Sequence, residues 1–137
     1  MFAWASKRLN RKEHGFTLIE LVVVLAIIGI LIAAAVPLYL GARLKAYKAE
    51  ASNALQEMKT MEWAYYQQYN TFVGGTMSAI GFSAPNSSVW SYADPVSPSA
   101  SSVTMIATGK AAPAPAAGKS VTVILNSDGS SSTSSNF

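Results

Sequence analysis

The stretch HGFTLIELVVVLAIIGILIAAAVPLYL, residues 14–40, decides the fold of this chain. No charged residue occurs from Leu21 to Ala42, and such a segment in a helix extends about 33 Å, enough to cross a hydrocarbon core of about 30 Å. Pro37 removes one backbone donor and is expected to kink this helix rather than end it, because apolar residues continue beyond it. The sequence therefore predicts a membrane-spanning helix near its N-terminus.

The net charge of +3 is concentrated before Phe16. After that position the chain carries six basic and six acidic residues. A basic flank stays on the cytoplasmic side of a membrane, so the part after the helix is predicted to be exported. Because the remainder is neutral, charge gives no support to nucleic acid as a partner, although such binding stays open. The basic residues of the flank are Lys7, Arg8, Arg11 and Lys12.

The side chains that most enzymes depend on are scarce here. The chain has no cysteine, which excludes a disulfide framework, a thiolate nucleophile and a cysteine metal site. Its single histidine, His14, lies in the basic flank, so a chain that lost this flank would have no imidazole for acid–base chemistry. The acids Asp94 and Asp128 stand alone beyond Glu62, whereas calcium prefers six to eight oxygen ligands. We therefore predict no enzyme activity, no cofactor and no metal site.

Glu20 is the unexpected residue of the apolar segment. A carboxylate at the centre of a bilayer costs about 2.5–3.5 kcal/mol, and such groups usually have a partner. No basic residue is near Glu20 in the sequence, but the free amine of another chain, cut after Gly15, would serve. Two simpler interpretations are an uncleaved membrane anchor and a secretory signal cleaved near residues 33–35.

The residues Gly15 and Phe-Thr-Leu-Ile-Glu20, between a basic flank and an apolar segment, resemble the class III signal peptide of type IV pilins and the related pseudopilins. The resemblance implies that a prepilin peptidase cuts after Gly15 and methylates the amine of Phe16. It also implies that Glu20 pairs with the Phe16 amine of a neighbouring subunit. The helix of family filaments unwinds between the positions that match Gly29 and Pro37, so these two residues are predicted to give it flexibility.

Residues 43–69 are predicted to continue the same helix with one apolar face. The acidic and basic residues of this part, Glu62 among them, are expected on the opposite, solvated face. Aromatic residues near its end, from Trp63 to Phe72, are expected between helix and sheet. The apolar stripe comprises Leu44, Tyr47, Ala51, Ala54, Met58, Met61 and Tyr65, and it is widened by Leu55 and Tyr69.

Residues 70–137 are predicted to form a small head. Gly, Ser, Thr and Asn dominate residues 70–88 and indicate a loop. Short segments rich in β-branched residues predict three strands, at residues 88–92, 102–108 and 120–126. An Ala/Pro connector precedes the third strand, and the serine-rich end of the chain is predicted to add an edge strand or to fray.

The sequence as a whole predicts an α+β fold, in which a long N-terminal helix packs against an antiparallel sheet of three to four strands. We divide the chain into a removed leader (1–15), an apolar transmembrane and assembly half-helix (16–42), an amphipathic half-helix (43–69) and the head (70–137).

The resemblance implies a type IV pilus-like filament for motility, adhesion or DNA uptake, formed by a subunit that starts as an inner-membrane precursor and ends at the cell surface. Its partners would be copies of itself, minor pilins, the prepilin peptidase, the inner-membrane assembly platform and, before assembly, membrane lipid. A pseudopilin of a type II secretion system, which would be periplasmic, is the alternative. An anchored or secreted binding module is the lesser one.

Overall fold

The computed structural model describes residues 15–111 and 114–137. The basic residues of the predicted leader, together with His14, lie outside this part of the chain. Two compact units divide the chain, the first ending at Leu38 and the second comprising Tyr39–Phe137.

Helix α1 comprises Leu18–Tyr69, which confirms the predicted N-terminal helix and its end at residue 69. Pro37 lies inside the helix, which continues past it as predicted. The helix ends where Asn70 adopts a φ of 53°, a left-handed conformation that asparagine tolerates better than most residues. The amide of Asn70 still donates to the Tyr66 carbonyl at 2.7 Å, which satisfies one of the last free carbonyls of the helix.

The first unit contains no buried side chain among its described residues, 15–38. Apart from Glu20, its part of α1 is apolar around its whole circumference, and the helix is long and apolar enough to cross a membrane. Apolar area of this extent is not stable in water, so lipid or other protein chains must cover it.

Four strands form one antiparallel sheet in the order β1-β2-β3-β4. Three of them lie where strands are predicted, and the serine-rich end forms the fourth, so the α+β architecture is confirmed. The first strand begins two residues later than predicted, because the Ser87 hydroxyl accepts hydrogen bonds from the amides of Val89 and Trp90, both at 3.1 Å. The strands are β1 (Trp90–Tyr92), β2 (Ser102–Gly109), β3 (Ser120–Asn126) and β4 (Ser131–Ser135).

One hydrophobic core joins the sheet to the second half of α1. Alternate residues of β2 and β3 point into it, as the two-residue period of a strand requires. Residues at helical spacing on α1 cover the same face of the sheet. The buried side chains are Val103, Met105 and Ala107 of β2, Val121, Val123 and Leu125 of β3, and Ala51, Leu55 and Met58 of α1.

The prediction of an apolar stripe on α1 is wrong for the residues at its two ends and for one acid expected on the opposite, polar face. Leu44 is 40% exposed and Tyr69 is 55% exposed, so neither belongs to the core. Glu62, predicted to be solvated, is instead completely buried. Of the aromatic residues expected between helix and sheet, Phe72 is buried and Trp63 packs against the core while half-buried.

Trp90 connects the first strand to the helix through a polar contact. Its indole Nε1 donates to the Tyr47 carbonyl at 2.9 Å, and the side chain is 1% exposed. Replacing Trp90 with phenylalanine keeps an aromatic ring there but removes this donor. We expect the free energy of unfolding to fall by at least about 1 kcal/mol, because the hydrogen bond is lost and the smaller ring also leaves a void in the core. Denaturant titration of the full chain in detergent micelles, followed by circular dichroism, measures the difference.

Candidate assembly site

The first turn of α1 carries the predicted assembly residue, Glu20, in a capping arrangement. Thr17 immediately precedes the helix. Its hydroxyl accepts a hydrogen bond from the Glu20 amide at 3.3 Å. In return, Glu20 Oε2 accepts from the Thr17 amide at 2.8 Å and from the Thr17 hydroxyl at 2.6 Å. This reciprocal pattern is a capping box, in which two side chains satisfy free amides at the start of a helix.

The capping box corrects the expectation that Glu20 has no partner nearby in the sequence. Thr17 is that partner, and the spacing Thr-x-x-Glu is a sequence signal that a search for opposite charges does not detect. Both hydrogen bonds end on Oε2. Oε1 therefore keeps its capacity to accept a hydrogen bond from an ammonium group of another molecule.

The surroundings of Glu20 are apolar and open. Phe16, Ile19, Glu20, Val23 and Val24 line a shallow groove of about 400 Å³. Phe16 is 83% exposed, and Glu20 is the one ionisable residue among the five. If another chain covered this groove, water would be excluded and a charge pair with Glu20 would be stronger than in water.

The predicted flexibility residues both lie within α1. A Cβ placed on Gly29 would meet no atom within 4 Å, apart from the backbone of its own helix, so packing does not require a glycine there. Pro37 has no amide hydrogen, which leaves the carbonyl of Ala33 without its usual helical donor. Pro37 therefore removes one bond of the helical ladder, and Gly29, a residue of low helix propensity, stands about two turns before it.

Glu62 is the one buried acid among the described residues. Neither of its carboxylate oxygens has a hydrogen-bond partner there. They face the backbone of Gly75, where a Cβ would stand only 2.6 Å from Oε2. Burial raises the pKa of Glu62 to about 7 from its ordinary value of 4.5. Glu62 is therefore a pH-dependent element of the core rather than part of the assembly site.

Comparison with known proteins gives a family match that includes the residues of the capping box. Residues 10–36 match the family described as the prokaryotic N-terminal methylation motif. The type IV major pilin protein PilA of Myxococcus xanthus is 32% identical over 85 residues, which are 62% of this chain and 38% of that protein. A fimbrial protein of Neisseria meningitidis serogroup B is 38% identical over 71 residues, or 52% of this chain and 42% of that protein.

A third relative is the type IV major pilin protein PilE1 of Neisseria gonorrhoeae, which is 36% identical over 81 residues. This match covers 59% of the present chain and 48% of that protein. The chain thus spans less than half the length of these three relatives. No solved structure matches it.

Proposed function

We propose that the chain is a member of the type IV pilin family and a structural subunit of a type IV pilus-like filament, made as an inner-membrane precursor and cut after Gly15. Its residues 10–36 match the N-terminal methylation motif, and type IV major pilins are among its relatives. The observation that carries this proposal is the position of Glu20, in the first turn of an exposed apolar helix that starts two residues after Phe16. A cut between these two residues leaves the capping box intact and creates an amine four residues before Glu20.

Assembly has a physical reason in the first half of α1. Its exposed apolar side chains need cover, which membrane lipid supplies to the precursor and neighbouring helices supply in a filament. Each incoming helix would present its Phe16 amine to Oε1 of Glu20 in a subunit already assembled. A buried ion pair of this kind adds little net stability over apolar packing, but it penalises every register that leaves one charge unpaired.

The remaining partners follow from this assignment. The prepilin peptidase would act on the Gly15–Phe16 bond and methylate the new amine. The assembly platform would extract the helix from the membrane, and Gly29 and Pro37 would be the positions where the helix unwinds as it packs. The filament core would be built from residues 16–69, and the head, residues 70–137, would face outward.

Substitution of Gly15 by leucine is expected to block processing and to leave the precursor in the membrane. A Cβ at Gly15 meets no atom within 4 Å, so the substitution acts on recognition by the peptidase rather than on the fold. Intact mass and N-terminal sequence of the protein recovered from cells report the outcome. The wild-type chain should begin at methylated Phe16, and the variant should keep residues 1–15.

The fraction in which the processed chain is found tests the filament itself. Filaments sheared from the cell surface should contain the chain that begins at Phe16. A processed chain confined to the periplasm would favour the pseudopilin alternative. A chain that begins near residue 36, or that is never cut, would refute the proposal and favour an exported or anchored binding module.

A further inference from the structure

Two lysines that are far apart in the sequence meet at one aromatic ring. Lys48 Nζ lies 5.7 Å from the centre of the Phe137 ring, and Lys119 Nζ lies 5.9 Å from the same centre. The ring also contacts Trp90, with 5.8 Å between ring centres. Lys48 belongs to α1, whereas Lys119 directly precedes β3, so the fold itself brings the two positive charges together.

The side chains of this pair keep donors available for a ligand. Lys119 Nζ donates one hydrogen bond, to the Asn136 carbonyl at 3.1 Å, and an ammonium group has three donors. Both lysines are half-buried, with aliphatic stems beside aromatic surface, an arrangement that leaves a charged end facing solvent. The Phe137 ring, itself packed on Trp90, thus lies beside both ammonium groups.

Position along the helix indicates what this pair contacts. The charge-free segment ends at Ala42, and Lys48 follows six residues later, about 9 Å further along the axis. Side chains of a helix lean toward its N-terminus, here toward the membrane. The headgroup layer outside the hydrocarbon core is about 5–8 Å thick, so the ammonium of Lys48 falls within it. Because Lys119 contacts the same Phe137 ring, its ammonium group lies at the same depth as that of Lys48.

The charge distribution at this level is one-sided. Arg43, Lys45 and Lys48 follow the apolar segment before the next acid, Glu50, is reached. The Arg43 guanidinium lies over the Tyr47 ring at 5.4 Å, and its Nε donates to the Tyr47 hydroxyl at 2.6 Å. Basic residues usually mark the cytoplasmic end of a membrane helix, so the topology rule does not account for a second basic group at the exported end.

We propose that Lys48 and Lys119, held on the ring of Phe137, form a binding site for the headgroup phosphate of an anionic phospholipid in the outer leaflet. Arg43 and Lys45 add to the same positive field. The site would keep the head of the unassembled subunit against the membrane surface. It requires only that the first half of α1 spans the membrane, so a subunit that fails to polymerise still displays it.

Lipid retention by the processed full chain in detergent micelles tests this site. Phosphatidylglycerol and phosphatidylcholine are added in equal amounts, and native mass spectrometry counts the lipids that stay bound. The wild-type chain should retain phosphatidylglycerol in preference. Each lysine near an anionic surface contributes about five-fold in affinity, so the double variant Lys48→Gln, Lys119→Gln should lose most of this preference.

Three controls make the test specific. Lys59→Gln removes a charge further along the same helix, where Lys59 Nζ contacts the Ser131 hydroxyl at 3.4 Å, and should leave the preference unchanged. The pair Lys48→Arg, Lys119→Arg keeps the charge and should keep the preference. Circular dichroism shows that each variant is folded.

Several results would overturn the proposal. One is equal retention of both lipids by the wild-type chain. Another is a loss of the phosphatidylglycerol preference in Lys59→Gln that equals the loss in the double variant. Displacement of the lipid by millimolar inorganic phosphate would assign the lysines to a free anion. A short DNA duplex that binds through the same lysines, without any lipid preference, would assign them to nucleic acid.

Discussion

Replacing Glu20 with alanine is expected to abolish surface filaments while the processed subunit still accumulates in the membrane. The substitution removes the carboxylate that we assign to the incoming Phe16 amine. An uncompensated buried charge costs about 3–5 kcal/mol for each subunit added, which weakens association about a hundred-fold or more. Electron microscopy and the quantity of subunit in the sheared fraction measure the loss, and N-terminal analysis shows that processing is intact.

The capping box allows the charge of Glu20 to be tested separately from its hydrogen bonds to Thr17. Glutamine at position 20 can still accept hydrogen bonds from Thr17, because both Glu and Gln occur at this place of a capping box, but it carries no charge. Thr17→Val removes the hydroxyl and leaves the carboxylate. Loss of one cap costs about 1 kcal/mol, which a helix as long as α1 tolerates. We therefore expect Glu20→Gln to prevent filaments and Thr17→Val to permit them.

The opposite pattern would change the role of Glu20. Normal filaments from Glu20→Gln would show that assembly does not need the charge, and the proposed pair with Phe16 would be wrong. Loss of filaments in Thr17→Val, with processing intact, would mean that the start of the helix itself controls assembly. Glu20 would then act through its cap.

Replacing Glu62 with methionine is expected to stabilise the second unit at neutral and alkaline pH. Methionine is close in size and flexibility to glutamate and leaves no polar atom in the core. The ionised carboxylate has no hydrogen-bond partner among the described residues, so its burial costs free energy that the variant does not lose. The gain should approach about 3 kcal/mol at pH 8, which corresponds to the rise of the pKa from 4.5 to about 7.

The same shift determines how the wild-type stability depends on pH. The unfolded chain releases the Glu62 proton near pH 4.5, whereas the folded chain holds it until about pH 7. The folded state therefore binds more protons between these values, and its stability falls as pH rises through this interval. Below pH 4.5 the group is protonated in both states, and the destabilising contribution disappears.

Unfolding free energies of the wild type and of Glu62→Met, measured from pH 4 to pH 8.5, test this account. The difference between the two should grow from pH 4.5 to pH 7 and then level off. Glu57→Met is the matched control, because Glu57 is an exposed acid on the same helix, and its difference from the wild type should stay flat. Parallel profiles for wild type and Glu62→Met would show that Glu62 ionises without cost.

Much of the fold follows from sequence because its signals are local. The end of α1 coincides with Asn70, a residue suited to left-handed backbone, and β3 has the predicted limits, with Val121, Val123 and Leu125 buried at every second position. The first strand begins later than predicted because of a hydroxyl contact from Ser87, which propensity alone does not reveal.

Besides Leu44 and Tyr69 at the ends of the apolar stripe, two acids depart from the sequence-based expectation. Glu62 lies four residues after Met58, and that spacing places it on the buried face of α1. The assumption that an acid belongs on the solvated face overrode the periodicity. For Glu20, the lack of nearby basic residues does not reveal Thr17, whose amide and hydroxyl both donate to the carboxylate. In each case the spacing in the sequence indicates where the side chain lies or what it contacts, whereas its charge suggests a different environment.

If the head is exported as proposed, the order of its strands determines how it can fold during export. Each strand of the sheet pairs with its neighbour in sequence, so no strand waits for a distant partner to be synthesised. Antiparallel hairpins of this kind close in about 1–10 μs, far faster than a ribosome adds residues. The helical side of the core also leaves the membrane first, because Leu55 and Met58 precede every strand. The head can therefore fold progressively as it emerges, and each new strand finds its pairing edge already formed.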